Sequence, residues 1–108
     1  MRPPSNHLAS AGFAGPIAGP TLAVDKAFTA VAHRVATADL AALAVPGGAL
    51  AGLHANGGGR YVVFGGGLPC WSADGGVVVG GVGVSGGTTE QDIACAEAAL
   101  AVFKSIMQ

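Results

Sequence analysis

The stretch VVVGGVGVSGGTTEQDIACAEAALAVFKSIM, residues 77–107, decides the fold class. Val77 to Val84 is continuously apolar and holds three glycines. That pattern predicts a strand buried on both faces, its glycines marking close helix packing. Ser85-Gly86-Gly87 breaks the strand. Thr88 or Thr89 then supplies an N-cap, and Thr88 with Gln91 approximates a capping box. Ile93, Ala96, Leu100, Phe103 and Met107 recur at helical spacing, so a helix is expected over 88–107. Asp92 near its start and Lys104 near its end both suit the helix dipole.

Working outward, Arg60 to Phe64 (RYVVF) is β-branched and aromatic and reads as a second strand. Gly65-Gly66-Gly67-Leu68-Pro69 reads as its end, and Ser72 to Gly76 as a hairpin turn. Further upstream, a helix is expected over 21–36, capped by Thr21. Its buried face would be Val24, Phe28, Val31 and Val35, with Lys26, Ala30, His33 and Thr37 on a different stripe. Asp39 to Ala44 reads as a short helix capped by Thr37 and stopped by Pro46-Gly47-Gly48. Residues 49–54 suggest another short helical turn, and Asn56 to Gly59 a tight turn. Residues 1–20 hold four prolines and three glycines, which break both helix and strand patterns. They read as an arm whose Leu8, Phe13 and Ile17 dock on a surface. The chain thus divides into an arm, 1–20, and an α+β domain, 21–108. Two strands are too few for a stable sheet. A third is expected either near 48–54 or from another chain.

The composition sets the limits on function. A chain of 108 residues is one domain's worth. Only 10% of its residues are charged, against about 25% in an ordinary globular chain, so much of its surface calls for cover, as in an oligomer. A net charge of −1 without a basic run argues against a nucleic-acid partner. No apolar run approaches the length of a membrane span, and no secretory leader is evident. A cytoplasmic, reducing setting follows as the default, with Cys70 and Cys95 as free thiols. Cys70 falls in a turn region, and Cys95 is expected to be buried and inert in the last helix.

Gly83 to Asp92 is the leading candidate for ligand binding: a strand feeds a glycine turn, which feeds a helix N-terminus whose free N–H groups can hold a carboxylate or phosphate. A second candidate is Gly65 to Trp71, with Trp71 lining a pocket. Of the histidines, His7 lies in the arm, while His33 and His54 are candidate iron ligands or bases. Lys26, a polar residue in an alanine-rich helix, is placed to neutralise a bound carboxylate.

Several of these pieces carry a resemblance. Gly66-Gly67-Leu68-Pro69, the run from Gly80 to Gly87, Gln91-Asp92 with Ala96-Glu97, and the upstream Lys26-Ala27-Phe28-Thr29-Ala30 together resemble the GlcG/HbpS-like family. This haem-binding domain family also supplies the C-terminal domain of PduO-type proteins. The resemblance covers residues 16–106. It implies an α+β, profilin-like domain with an antiparallel sheet flanked by helices, here lacking the usual N-terminal helix and strands. It also implies homo-oligomers, dimers or larger. The resulting expectation is a small-ligand-binding oligomeric domain whose ligand is haem or an organic acid. Lys26, Gly66, Gly67, Leu68, Ser85, Gly86, Gly87 and Thr88 would form the pocket, with His33 or His54 toward iron. Were there turnover, Asp92 or Glu97 would be the base. The alternative is a subunit of a hetero-oligomeric catabolic enzyme, catalytic or not, in which a complementary chain completes the sheet and shares the pocket.

Overall fold

The computed structural model describes residues 8–11 and 19–107. His7, Phe13 and Ile17 lie outside them. Eight elements follow in order: β1 (Leu8–Ala11), α1 (Gly19–His33), α2 (Thr37–Leu43), 3-10 turns at Leu53–Ala55 and Gly57–Gly59, β2 (Gly67–Trp71), β3 (Val78–Val84) and α3 (Thr89–Met107). The strands form an open sheet in the order β1-β3-β2. β2 runs antiparallel to β3, while β1 adds a parallel edge. The α+β class, the helices flanking the sheet and the β3–α3 unit are as expected.

The third strand comes from neither expected source. It lies within the proline- and glycine-rich arm, pairing Leu8 to Ala11 with Gly81 to Val84. Four residues between the breakers suffice, because the ladder needs only backbone groups.

The sheet is thin on one face and filled on the other. Gly81 and Gly83 of β3 point toward α1. A Cβ on Gly81 would sit 2.7 Å from the Val31 side chain, and one on Gly83 would collide with the Ala23 carbonyl. The helix therefore rides almost on the strand backbone. Only a face of small residues permits that approach, and Ala23, Ala27 and Ala30 are fully buried there. This overturns the expected face: Val24, Phe28 and Val31 are half-buried flanks, and Val35 lies exposed beyond the helix end. On the opposite side Cys70, Val82 and Ala96 form a small core, with Leu68, Val84, Leu100 and Phe103 packed around it. Cys70 is buried in β2 rather than set in a turn, and Cys95 is exposed on α3 rather than buried; both are free thiols, as expected.

RYVVF is not a strand: Arg60 lies in a turn with helical backbone angles, Tyr61 to Val63 carry no regular structure and Phe64 lies in a bend. Its polar groups are taken by α1 instead. The Val62 N–H donates to Thr29 Oγ1 (2.9 Å), and Arg60 Nε reaches Asp25 Oδ1 (2.9 Å). The Tyr61 ring lies over Phe28 (centroids 5.9 Å apart) and meets His33 edge-on (4.6 Å). The strand starts three residues later, in GLPCW, where Gly67 lets the chain lie against α1. Tertiary packing here overrides β-propensity.

Neither threonine proposed as a cap upstream acts as one. α1 begins at Gly19, so Thr21 lies inside it. Ala36 is the N-cap of α2, and the Thr37 hydroxyl accepts from the Gly67 N–H (2.9 Å). Thr88 does cap α3: its Oγ1 accepts from the Gln91 N–H (3.2 Å) while Gln91 Oε1 accepts from the Thr88 N–H (2.9 Å). The hairpin at 72–76 also forms, with Gly75 at φ +77°. Asp74 Oδ1 accepts from the Ser72 hydroxyl (2.6 Å) and the Gly76 N–H (3.0 Å).

Candidate functional site

Lys26 sits on the buried alanine face of α1 and is only 2% exposed. A long cation is tolerated there because β3 ends beside it. Its Nζ donates to the Val84 carbonyl (2.9 Å) and to Asp92 Oδ2 (3.2 Å). Asp92, 5% exposed in the first turn of α3, accepts the Gly87 N–H on its other oxygen (3.0 Å). One lysine and one carboxylate thus tie α1, the end of β3, the glycine turn and α3 together. Gly66 makes room for this knot. It holds φ +124°, a region open to glycine, and a Cβ on it would lie 2.6 Å from the Val84 carbonyl and 3.1 Å from Lys26 Nζ.

Beside the knot lies a hollow of about 250 Å³. Lys26, Asp92, Ser85, Gly86 and Gly87 form its polar side, and Leu22 and Phe64 its apolar side. A second hollow, about 430 Å³, shares Leu22 and Phe64 with the first. Tyr61, Val62 and Val63 make it apolar, and His54 stands at its border. Phe64, 56% exposed, divides the two. The pair therefore forms one amphiphilic depression, polar at the start of α3 and apolar along RYVVF.

The expected site residues separate into groups. Lys26, Ser85, Gly86 and Gly87 meet at the first hollow, with Gly66 beneath Lys26. Gly67 faces the Lys26 backbone and Thr37 instead, and Leu68 joins the core on the α3 side. Thr88 is exposed and engaged in its cap. His54 borders the second hollow, whereas His33 lies behind Tyr61, its Nδ1 donating to the Thr29 carbonyl (2.9 Å). Of the two proposed bases, Asp92 is held in the ion pair and Glu97 is exposed on α3. Trp71 borders a third hollow of about 340 Å³, shared with the hairpin and Lys104 rather than with the glycines.

Tyr61 and Phe64 went unrecognised as lining residues because RYVVF read as a strand. The Lys26–Asp92 pair had a visible signal. Lys26 falls between Ala23, Ala27 and Ala30 at helical spacing, on the small-residue side that a glycine strand demands. Among the described residues no group of three or more His, Cys, Asp or Glu side chains is placed to hold a metal ion. No described helix is long and apolar enough to cross a membrane.

The family model described as haem degrading protein HbpS-like matches residues 9–101. The corrinoid adenosyltransferases PduO of Citrobacter freundii and Salmonella typhimurium are 48% and 46% identical over 82 residues, which is 76% of this chain and 24% of each relative. An uncharacterised 15.0 kDa protein from the dhaT–dhaS intergenic region of Citrobacter freundii is 44% identical over 85 residues, 79% of this chain and 58% of that protein. Among solved structures, Klebsiella pneumoniae protein ORFY superposes with a TM-score of 0.77 at 36% identity, covering 82% of this chain and 60% of that one. A PduOC:heme complex superposes with a TM-score of 0.69 at 48% identity, covering 74% and 56%. The chain therefore spans about a quarter of the adenosyltransferases it matches.

Proposed function

The chain belongs to the HbpS-like family of haem-degrading proteins, and from that premise we propose that it is a haem-binding domain that works as part of a larger metabolic assembly. The observation that carries the reading is the amphiphilic depression. Haem has an apolar macrocycle and two carboxylates, and the two adjoining hollows divide in the same way. Tyr61, Val62, Val63, Leu22 and Phe64 offer the ring an apolar bed. Ser85, Gly86 and the start of α3 offer the carboxylates polar groups and the positive end of a helix dipole. Lys26 adds a cation at the border, although its charge is already balanced by Asp92. His54, whose ring nitrogens stand at the border of the apolar hollow, would be the residue to hold the iron. His33, screened by Tyr61 and anchored to Thr29, is assigned an orienting contact on Tyr61 rather than the iron. Haem, when bound, supplies an iron centre for one-electron and O2 chemistry.

The assembly part of the proposal draws support from the relatives. In the PduO adenosyltransferases the matching segment is about a quarter of the protein. Phe64 is exposed at the mouth of the depression, so a neighbouring chain or domain that covered it would complete the wall.

The test is a haem titration of the purified chain followed by absorbance. The expected result is a saturable Soret band at one haem per chain. His54→Ala should shift the band and weaken binding about tenfold or more, while His33→Ala keeps the band position. Binding that is unsaturable, or a Soret band unchanged in His54→Ala, would overturn the ligand assignment.

A further inference from the structure

We propose that the outward face of α3 docks a second copy of this chain, the two helices running antiparallel about a two-fold axis. α3 packs one side onto the sheet through Ala96, Leu100 and Phe103. At 100° per residue its other side divides into three rows, all exposed. Ala94, Ala98, Ala101 and Ser105 form the crest, spaced four, three and four apart as in a heptad seam. Cys95, Val102 and Ile106 form one shoulder, with Val102 59% and Ile106 74% exposed. Glu97 and Lys104 form the other shoulder, seven residues apart, and are the only charged side chains of the helix after Asp92.

These two charges decide the direction of pairing. Parallel helices would set each charged shoulder against the partner's apolar one, leaving Glu97 and Lys104 beside Cys95, Val102 and Ile106 without a charge partner. An antiparallel two-fold brings like shoulders together end for end, so that Glu97 of each copy faces the partner's Lys104, twice. The same operation lays Ile106 of each copy beside the partner's Cys95 and Val102 beside its Ala99, covering the apolar shoulder. The helix dipoles oppose one another favourably as well. The small crest residues let the two backbones approach; the exposed valine and isoleucine and the matched charges are what call for a partner. The low overall charge of the chain points the same way. This deepens the assembly half of the reading above and does not depend on haem.

The test is sedimentation equilibrium on the full chain without haem. The expected result is a concentration-dependent monomer–dimer equilibrium. Glu97→Lys and Lys104→Glu should each weaken the dimer about tenfold, since either reversal spoils both pairs, and the double reversal should restore it to within about twofold. In 1 M salt the three charge variants should converge with the parent. Val102→Asp should be monomeric with an unchanged far-ultraviolet circular dichroism spectrum. A parent chain that stays monomeric at high concentration would overturn the proposal. So would charge variants that all associate equally at low salt, or an oligomer that Val102→Asp leaves intact. The haem titration is read separately, so failure of one proposal is distinguishable from failure of the other.

Discussion

Replacing Lys26 with Met tests the knot at the heart of the site. The substitution keeps the length of the side chain and removes its charge. It leaves the Asp92 carboxylate 5% exposed, with the Gly87 N–H as its remaining protein partner. It also strips a donor from the Val84 carbonyl. Breaking one side of a buried pair costs about 3–5 kcal/mol, because the surviving charge is left without compensation. A domain of this size holds roughly 5–15 kcal/mol in all, so about a fifth or more of its stability is at stake. The companion change, Asp92→Leu in the Lys26→Met background, removes the stranded charge. Its Gly87 N–H turns to water, since Gly87 is exposed. The double variant should therefore recover all but about 1–2 kcal/mol, the residue being the Val84 carbonyl left without its donor. Guanidinium unfolding followed by the fluorescence of Trp71, the only tryptophan, measures both. A Lys26→Met loss below about 1 kcal/mol would mean the pair behaves as an exposed one and would refute the argument. So would a double variant whose losses simply add.

Two further substitutions probe the sheet and the hairpin. Gly83→Ala should cost about 3 kcal/mol or more in the same assay, because the new methyl meets the backbone of Ala23 and Ala27 rather than a side chain that can swing away; a loss under about 1 kcal/mol would show that α1 can lift off the strand. Ser72→Ala should raise the Asp74 carboxyl toward its ordinary 3.8 as followed by NMR titration, since the Ser72 hydroxyl first and the Gly76 N–H second hold it below that value. The folded value is the lower one, so the stabilising contribution is present above the unfolded value and is lost as pH falls through the folded value; removing Ser72 narrows that window from the acid side, and an unchanged Asp74 titration would refute the assignment.

What the sequence revealed depended on where local pattern and tertiary need agreed. In β3 and α3 they agree. An apolar glycine strand, a breaking turn, a reciprocal Thr88–Gln91 cap and a periodic helix each point to the same structure, and all four formed. In RYVVF they conflict. The residues favour a strand, yet their backbone and side chains are claimed by Thr29, Asp25, Phe28 and His33 of α1, partners about thirty residues away that no local pattern announces. β2 lies where the composition reads as a terminator, because Gly67 is needed for contact and Pro69 is tolerated in a strand that stands at the edge of the sheet. The arm hid its strand for a similar reason: Leu8 to Ala11 contributes a backbone ladder, and its flanking prolines and glycines masked the pattern.

The orientation of α1 links these cases to the site. Hydrophobic periodicity selects the largest side chains as the buried face, and that rule presumes that the partner surface has side chains of its own. β3 offers glycines at 81 and 83, so the helix turns its alanines inward and its valines to the flanks. That rotation carries Lys26 into the interior, where it can reach the end of β3 and Asp92. The glycines that look like a ligand-binding loop thus act first on packing. They set the depth of α1, the depth buries Lys26, and the buried lysine fixes the glycine turn at the start of α3. A ligand at that turn would meet a preorganised polar surface whose charges are already balanced. Its affinity would then come chiefly from the apolar bed of Leu22, Tyr61 and Phe64, with the turn orienting the carboxylates.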